Sequence, residues 1–252
     1  QYAEEAMYQH VARYLQPRFS AEIARKPSSP YSDKLTPKQI KIILNRSIVQ
    51  SERYRTMKAA GYSEEEIKAA FRKKQEMTVF TYHGDIDTLM SPLDSIRYYK
   101  SFLRSGFMSM DPKTGAVKAY VGGLDYPHFM YDMVSLGRRQ VGSTIKPFLY
   151  SLAMSNGFQP CDLAPNRQQT YMVAGRPWTP RNANHSRAGQ MVPLSWGLAQ
   201  SSNWVSAYLM SKLNPQQFVQ MLRDFGINSP DIHASMSLCL GPCEVSVSEM
   251  VS

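Results

Sequence analysis

The sequence predicts an α+β fold in which an antiparallel sheet packs against helices, with a further helical part at the N-terminus. Strand-like segments separated by turn residues fill much of residues 77–123, and mostly helical patterns follow beyond Gly142. Strands followed by a block of helices are typical of the α+β class. Hydrophobic residues make up 43% of the 252 residues and aromatic residues 11%. That is enough for a core and excludes disorder or a coiled coil as the main architecture.

Residues 1–76 predict a helical segment, which we expect to act as a linker or entry to a domain formed by residues 77–252. Apolar residues recur near the helical period between Tyr2 and Leu15, and we expect Pro17 to end that helix. Most of the net charge of +9 lies in this part of the chain. A basic flank alone, without a recognisable nucleic-acid-binding module, gives no reason to expect a nucleic-acid partner.

Two helix starts stand out in the same segment. Thr36 before Pro37 predicts an N-cap and a first helical residue, and the pattern extends to Gly61. Ser63 followed three residues later by Glu66 predicts a capping box that opens another helix.

A β-hairpin is predicted after these helices. Residues 77–82 read as a first strand, and a helix is expected from Ser91. Residues 107–111 and 116–121 then form two strands joined by the turn Pro112-Lys113-Thr114-Gly115. Beyond Gly142 the helical patterns cover residues 143–156, 193–201, 203–213 and 215–225, with Gly157 and Gly226 at helix ends.

The cysteine content predicts neither a disulfide framework nor a metal site. The three cysteines are Cys161, Cys239 and Cys243, an odd number, and His233 is the only histidine close to the last two. These scattered candidates lack a fourth ligand for zinc, so no metal is expected.

The sharpest chemical signal is the segment Gly142-Ser143-Thr144-Ile145-Lys146-Pro147. At a helix start, Ser143 and Lys146 would share one face and could touch. A serine needs a nearby base to become a nucleophile, and a lysine can serve if burial keeps part of it neutral. The backbone N–H of Ser143 could bind an oxyanion. Chance alone gives roughly one Ser-x-x-Lys in a chain of this composition, so a helix cap and a surface lysine is the competing interpretation.

A second signal lies between two predicted helices, at Ser201-Ser202-Asn203. The hydroxyl of Ser201 could relay a proton, and the Asn203 amide could hold a peptide-like group of a substrate. The competing interpretation, compatible with the first, is that Ser202 or Asn203 caps the helix that follows.

Together these signals resemble the transpeptidase domain of class A (bifunctional) penicillin-binding proteins. Ser-x-x-Lys followed by a Ser-x-Asn element marks penicillin-binding proteins and serine β-lactamases. The resemblance is carried by residues 110–123, 137–148 and 179–204, covers about residues 77–252, and is nearest in detail to the Bacteroidetes branch. It implies the penicillin-binding transpeptidase and serine β-lactamase-like fold.

The third motif of this family, Lys-Thr-Gly, does not stand where the resemblance requires it. It should follow the Ser-x-Asn element on a strand at the edge of the active site. The literal Lys113-Thr114-Gly115 precedes Ser143 and is interpreted as the hairpin turn, and no match occurs in residues 204–252. We therefore expect the domain to be truncated before that strand.

The resemblance implies a serine-type D-Ala-D-Ala transpeptidase of peptidoglycan biosynthesis. Ser143 would form the acyl-enzyme, Lys146 would take its proton, Ser201 would relay a proton to the leaving D-alanine, and Asn203 would orient the stem peptide. The implied partners are peptidoglycan stem peptides and β-lactam antibiotics, and no cofactor is needed. Full-length members have a membrane anchor and a glycosyltransferase domain, which places the catalytic part at the periplasmic face of the cytoplasmic membrane.

Two alternatives remain at this point. A serine β-lactamase-like hydrolase shares the same residues but needs a base to activate water, and no Glu occurs between Glu76 and Glu244. A non-catalytic wall-binding or β-lactam-sensing module would keep the fold without turnover.

Overall fold

The computed structural model describes residues 1–252 and divides them into two compact units. One unit contains residues 1–105 and 123–130, and the other contains residues 106–122 and 131–252. The boundary between these compact units lies near residue 105, and the domain predicted for residues 77–252 stays a prediction.

The first unit consists of helices and one pair of strands. Its elements are α1 (Tyr2–Met7), a π-helical segment (Tyr8–Leu15), α2 (Gln16–Ile23), α3 (Pro37–Gln50), α4 (Glu52–Ala59), α5 (Glu64–Arg72), β1 (Gln75–Val79), β2 (Ile86–Met90) and α6 (Pro92–Lys100). Strands β1 and β2 pair antiparallel.

An aromatic cluster explains why the strand pair belongs to this unit. The ring centroids of Phe80 and Phe102 lie 5.4 Å apart, and those of Phe80 and Phe129 lie 5.2 Å apart. Tyr82 packs edge-on to Phe80 at 5.2 Å. Such contacts join the end of β1 to the residues after α6 and to the segment 123–130, which local sequence patterns do not reveal.

The expectation that Pro17 ends the first helix is wrong. The chain remains helical to Ile23, with Pro17 in the first turn of α2. The preceding turn is π-helical, and the side chain of Arg18 donates a hydrogen bond to the carbonyl oxygen of Tyr14 at 2.9 Å. Proline is tolerated in the first turn of a helix, because the N–H it lacks is one that the first turn leaves without a partner inside that helix.

Both predicted helix starts in this unit are confirmed. Thr36 and Ser63 each form a capping box, with Gln39 and Glu66 respectively. The single helix expected from Thr36 to Gly61 is instead two helices, α3 and α4. Ser51 separates them because its extended backbone (ψ 148°) and its side chain, which accepts from the Tyr54 N–H, start a new helix.

Replacing Ser63 by Ala should lower the free energy of unfolding by about 1 kcal/mol. The substitution removes the acceptor of the Glu66 N–H at 3.3 Å and the hydroxyl that donates to the Glu66 carboxylate, while the backbone N–H of residue 63 still donates to that carboxylate. Denaturant titration would measure the loss. Thr56→Ala, inside the neighbouring α4, is the control and should cause no loss, so equal losses in the two variants would contradict the capping role.

The second unit holds most of the buried core. Its elements are β3 (Phe107–Met110), β4 (Val117–Val121), β5 (Arg139–Gln140), a 3-10 helix (Gly142–Ile145), α7 (Lys146–Ser155), β6 (Leu163–Pro165), β7 (Tyr171–Val173), β8 (Arg176–Trp178), β9 (Met191–Pro193), α8 (Leu194–Ala199), α9 (Asn203–Met210), α10 (Pro215–Asp224), a second 3-10 helix (Met236–Leu240), β10 (Glu244–Val245) and α11 (Val247–Val251).

The α+β class is confirmed, but the strands pair only in twos. Across the chain there are five two-stranded antiparallel sheets, and the predicted hairpin is the β3–β4 pair. In the second unit α7, α9 and α10 pack around fully buried side chains such as Leu149, Leu209 and Phe218. None of the helices combines the length and apolar character needed to cross a bilayer.

Candidate active site

Ser143 and Lys146 stand on either side of a change in helix type. Ser143 lies in the 3-10 helix that leads directly into α7, and Lys146 is the first residue of α7. Residues three apart in a 3-10 turn project in similar directions. The hydrogen bonds of the Lys146 amine nevertheless go to Ser201 and Asn203 and not to the Ser143 hydroxyl, so the contact predicted between Ser143 and Lys146 is not formed in this structure. Ser143 is exposed, whereas Lys146 is only 1% exposed and ranks among the most deeply buried side chains of the chain.

The turn that carries Ser143 is attached to a distant segment through its backbone. The N–H of Gly142 donates to the carbonyl oxygen of Gly241 at 3.0 Å, and that of Val141 donates to Cys243 at 2.9 Å. Gly142 has φ +56° and Gly241 has φ +65°. Both positions therefore need the left-handed backbone that glycine adopts without strain.

The Lys146 amine contacts three oxygen atoms of the Ser201–Asn203 segment. Its Nζ lies 2.6 Å from the Ser201 carbonyl oxygen, 3.0 Å from the Ser201 hydroxyl and 2.7 Å from Oδ1 of Asn203. A lysine ammonium has three donors and no acceptor, so these partners occupy all of its hydrogen-bonding capacity.

Burial increases the neutral fraction of Lys146, although the ammonium remains the major form at pH 7. Burial lowers the pKa of Lys146 from its ordinary 10.5 to about 8, and the nearby Cys239 thiol acts in the opposite direction. All three hydrogen-bond partners of the amine are uncharged oxygens. At that pKa roughly a tenth of the lysine is neutral at pH 7, far more than for an exposed lysine.

The Ser201–Asn203 segment is a strained connection between α8 and α9. Ser201 has φ +50°, an uncommon value for a residue with a side chain. Ser202 is the N-cap of α9, with its hydroxyl accepting from the Val205 N–H at 3.3 Å. The capping interpretation of Ser202 is thus confirmed, and it coexists with the contacts of Ser201 and Asn203 to Lys146. Strain of this kind recurs at functional sites.

A cavity of about 160 Å³ brings the predicted site residues together. Ser143, Ser201 and Asn203 line it. Lys146 approaches from the protein interior and reaches two of these three residues by hydrogen bonds. Asn182 also lines the cavity, a residue to which the sequence assigned no role of its own. Its position in the stretch 179–204 was the only available signal.

Two known family models match most of the chain. The penicillin-binding protein transpeptidase domain matches residues 105–235, and the penicillin-binding protein middle domain matches residues 26–103. The transpeptidase match covers more than half of the chain, so the chain belongs to the penicillin-binding protein transpeptidase domain family.

Individual relatives match over shorter stretches. Penicillin-binding protein 1A of Neisseria flavescens is 34% identical over 147 residues, which is 57% of this chain and 18% of that protein. Penicillin-binding protein 2D of Bacillus subtilis is 34% identical over 154 residues, which is 60% of this chain and 22% of that protein. The chain thus spans about a fifth of the length of these relatives. The crystal structure of penicillin-binding protein 1A from Haemophilus influenzae shares the fold, with a TM-score of 0.59 at 17% identity over 98% of this chain and 39% of that one.

Proposed function

We propose that residues 1–252 belong to a class A penicillin-binding protein and contain the acylation centre of its peptidoglycan D,D-transpeptidase. The observation that carries this proposal is the buried Lys146 amine, hydrogen-bonded to Ser201 and Asn203 beside a cavity that Ser143 lines. A lysine held this way has no evident structural purpose, because burying a cation costs stability. It suits a base that must be partly neutral at physiological pH.

In the proposed reaction, the Ser143 hydroxyl attacks the carbonyl carbon between two D-alanines of a stem peptide. Neutral Lys146 accepts the hydroxyl proton as the C–O bond forms. The C–N bond then breaks, and the leaving D-alanine amine takes a proton that Lys146 supplies through the Ser201 hydroxyl, 3.0 Å away. An amine of a neighbouring stem peptide attacks the acyl-enzyme, which forms the cross-link and returns the proton to Ser143.

The negatively charged oxygen of the tetrahedral intermediate needs hydrogen-bond donors close to Ser143. The Ser143 N–H lies in the first turn of the 3-10 helix, where backbone N–H groups have no partner within the helix, and it can serve as one donor. A Lys-Thr-Gly strand that is not among residues 204–252 would supply the other donor and complete the domain proposed for residues 77–252.

The wider setting is proposed from the family alone. The full-length protein would be membrane-anchored, carry a glycosyltransferase domain and act at the periplasmic face of the cytoplasmic membrane, with D-Ala-D-Ala stem peptides as substrate and β-lactams as inhibitors. A Bacteroidetes origin is likewise proposed only from the resemblance over about residues 77–252.

The test is to treat the full-length protein with a penicillin and locate the adduct by peptide mass spectrometry. We expect one adduct, on the peptide that contains Ser143, and we expect it to persist for hours. Addition of a D-Ala-D-Ala peptide with a D-amino acid acceptor should give the exchange product. Rapid loss of the adduct with release of hydrolysed penicillin would instead indicate a β-lactamase, and the absence of any adduct would indicate a non-catalytic module.

A further inference from the structure

Three successive residues, Pro180, Arg181 and Asn182, accept hydrogen bonds from the first turn of α9. The Pro180 carbonyl oxygen accepts from Nε1 of Trp204 at 3.0 Å. The Arg181 carbonyl oxygen accepts from Nδ2 of Asn203 at 2.7 Å. Oδ1 of Asn182 accepts from the backbone N–H groups of Asn203 at 2.7 Å and of Trp204 at 3.3 Å. These bonds satisfy N–H groups at a helix start from outside the helix.

The hydrogen bond to the Arg181 carbonyl oxygen sets the orientation of the Asn203 side-chain amide relative to Lys146. Because Nδ2 of Asn203 donates to Arg181, the opposite end of the amide, Oδ1, points to the lysine and accepts from its Nζ at 2.7 Å. The flipped amide would present an NH₂ group to an amine that has only donors when charged, which is unfavourable. The orientation of Asn203, and with it one of the three contacts of Lys146, therefore depends on the segment 180–182.

The same segment also fixes the residue between Ser201 and Asn203. Nδ2 of Asn182 donates to the Ser202 hydroxyl at 3.2 Å, and that hydroxyl donates to Oδ1 of Asn166 at 3.0 Å. Asn166 is completely buried. With the Val205 N–H as a further donor, the Ser202 hydroxyl has one acceptor and two donors around it, which is its full capacity. A fully satisfied buried network of this kind is rigid.

We propose that Asn182 is a positioning residue of the acylation centre. It holds the strained Ser201–Asn203 connection in the geometry that presents the Ser201 hydroxyl and Oδ1 of Asn203 to Lys146. It acts through these residues and not on the substrate, since both ends of its amide are engaged with α9 and its cap. This inference rests on the function proposed above.

The test compares Asn182→Ala and Asn182→Asp in the full-length protein, by the kinetics of acylation with a fluorescent penicillin. Asn182→Ala should lower the first-order acylation rate constant by about tenfold or more, because small displacements of catalytic groups reduce rates steeply, while the affinity for the penicillin changes by less than about threefold. Asn182→Asp keeps both acceptor contacts but adds a negative charge next to Asn203. That charge stabilises the Lys146 ammonium, so the half-maximal rate should move to higher pH, and at high pH the rate should exceed that of the Ala variant.

The matched control is Asn214→Ala. Asn214 also caps a helix, since its Oδ1 accepts from the Gln216 N–H at 2.8 Å, but it lies outside the candidate site at the start of α10. This variant should lose about 1 kcal/mol of stability, as expected for a lost N-cap, and acylate at the wild-type rate. The inference is overturned if Asn182→Ala acylates like wild type, or if the Ala and Asp variants lose equal rate with an unmoved pH profile, because Asn182 would then support only the helix. Absence of a Ser143 adduct in the wild type would overturn the proposed function itself.

Discussion

Replacing Lys146 by Met should lower the rate constant for penicillin acylation of the full-length protein by about a thousandfold, which is within the usual range for loss of a general base. Met has similar length and no proton acceptor, so the Ser143 hydroxyl loses its base while the packing volume is largely kept. The measurement is the rate of adduct formation in stopped-flow or quench experiments. Ser143→Ala gives the zero level, because it removes the nucleophile.

The pH dependence of acylation gives the same prediction a second readout. If neutral Lys146 is the base, the rate constant should rise with pH through about 8, the pKa to which burial lowers the Lys146 amine, and level off above it. The residual activity of the Met variant should lack this rise. A wild-type rate that stays constant between pH 6.5 and 9 would contradict the role of Lys146 as base.

The lowered pKa of Lys146 should also change how the free energy of unfolding depends on pH. Its pKa in the folded chain, about 8, lies below the ordinary 10.5, so between these values the unfolded chain binds more protons than the folded chain. Stability therefore rises with pH across that window, and this gain is absent below pH 8. Relative to Lys146→Met, the free energy of unfolding of the wild type should increase by about 2 kcal/mol between pH 7 and 10. Equal pH dependence of stability in the wild type and in Lys146→Met would contradict the lowered pKa of Lys146.

The parts of the fold that were predictable from sequence depend on short-range rules. The capping boxes at Thr36 and Ser63 and the helix ends at Gly157 and Gly226 involve residues within a few positions of one another, and all four are present. The failure at Pro17 has a local cause too, but π-helical turns are rare enough that the sequence gives no reason to expect one.

The parts that could not be predicted depend on contacts between distant residues. The hydrogen bonds from Lys146 to Ser201 and Asn203 join α7 to the start of α9, and only the resemblance to a family suggested that these residues meet. The contacts of Asn182 with α9, and of Gly142 with Gly241, have no counterpart in periodicity or spacing. A chain's local pattern carries no information about which two loops will be adjacent, so these contacts had to come from the structure.

Because Gly241 packs closely against Gly142, the substitution Gly241→Ala should strongly lower the rate constant of acylation. An added Cβ would lie 2.2 Å from the carbonyl oxygen of Gly142 and 2.6 Å from its nitrogen, and both neighbours are backbone atoms. The turn that carries Ser143 would have to move by about an ångström, and a displacement of that size at a nucleophile lowers rates by about a hundredfold. Adduct formation on the folded variant, measured as above, tests this.

Gly226→Ala separates this displacement from the general strain of a side chain at positive φ. Gly226 also has a left-handed backbone, φ +87°, but a Cβ there would meet nothing closer than 3.9 Å. Both variants should lose about 1 kcal/mol or more of stability because alanine disfavours this backbone region. Only Gly241→Ala should lose acylation at temperatures where both are folded, as judged by circular dichroism. If the two variants acylate equally well, the segment after the second 3-10 helix does not position the nucleophile. If only Gly241→Ala acylates slowly, the close backbone approach of Gly142 and Gly241 positions the Ser143 hydroxyl for acylation.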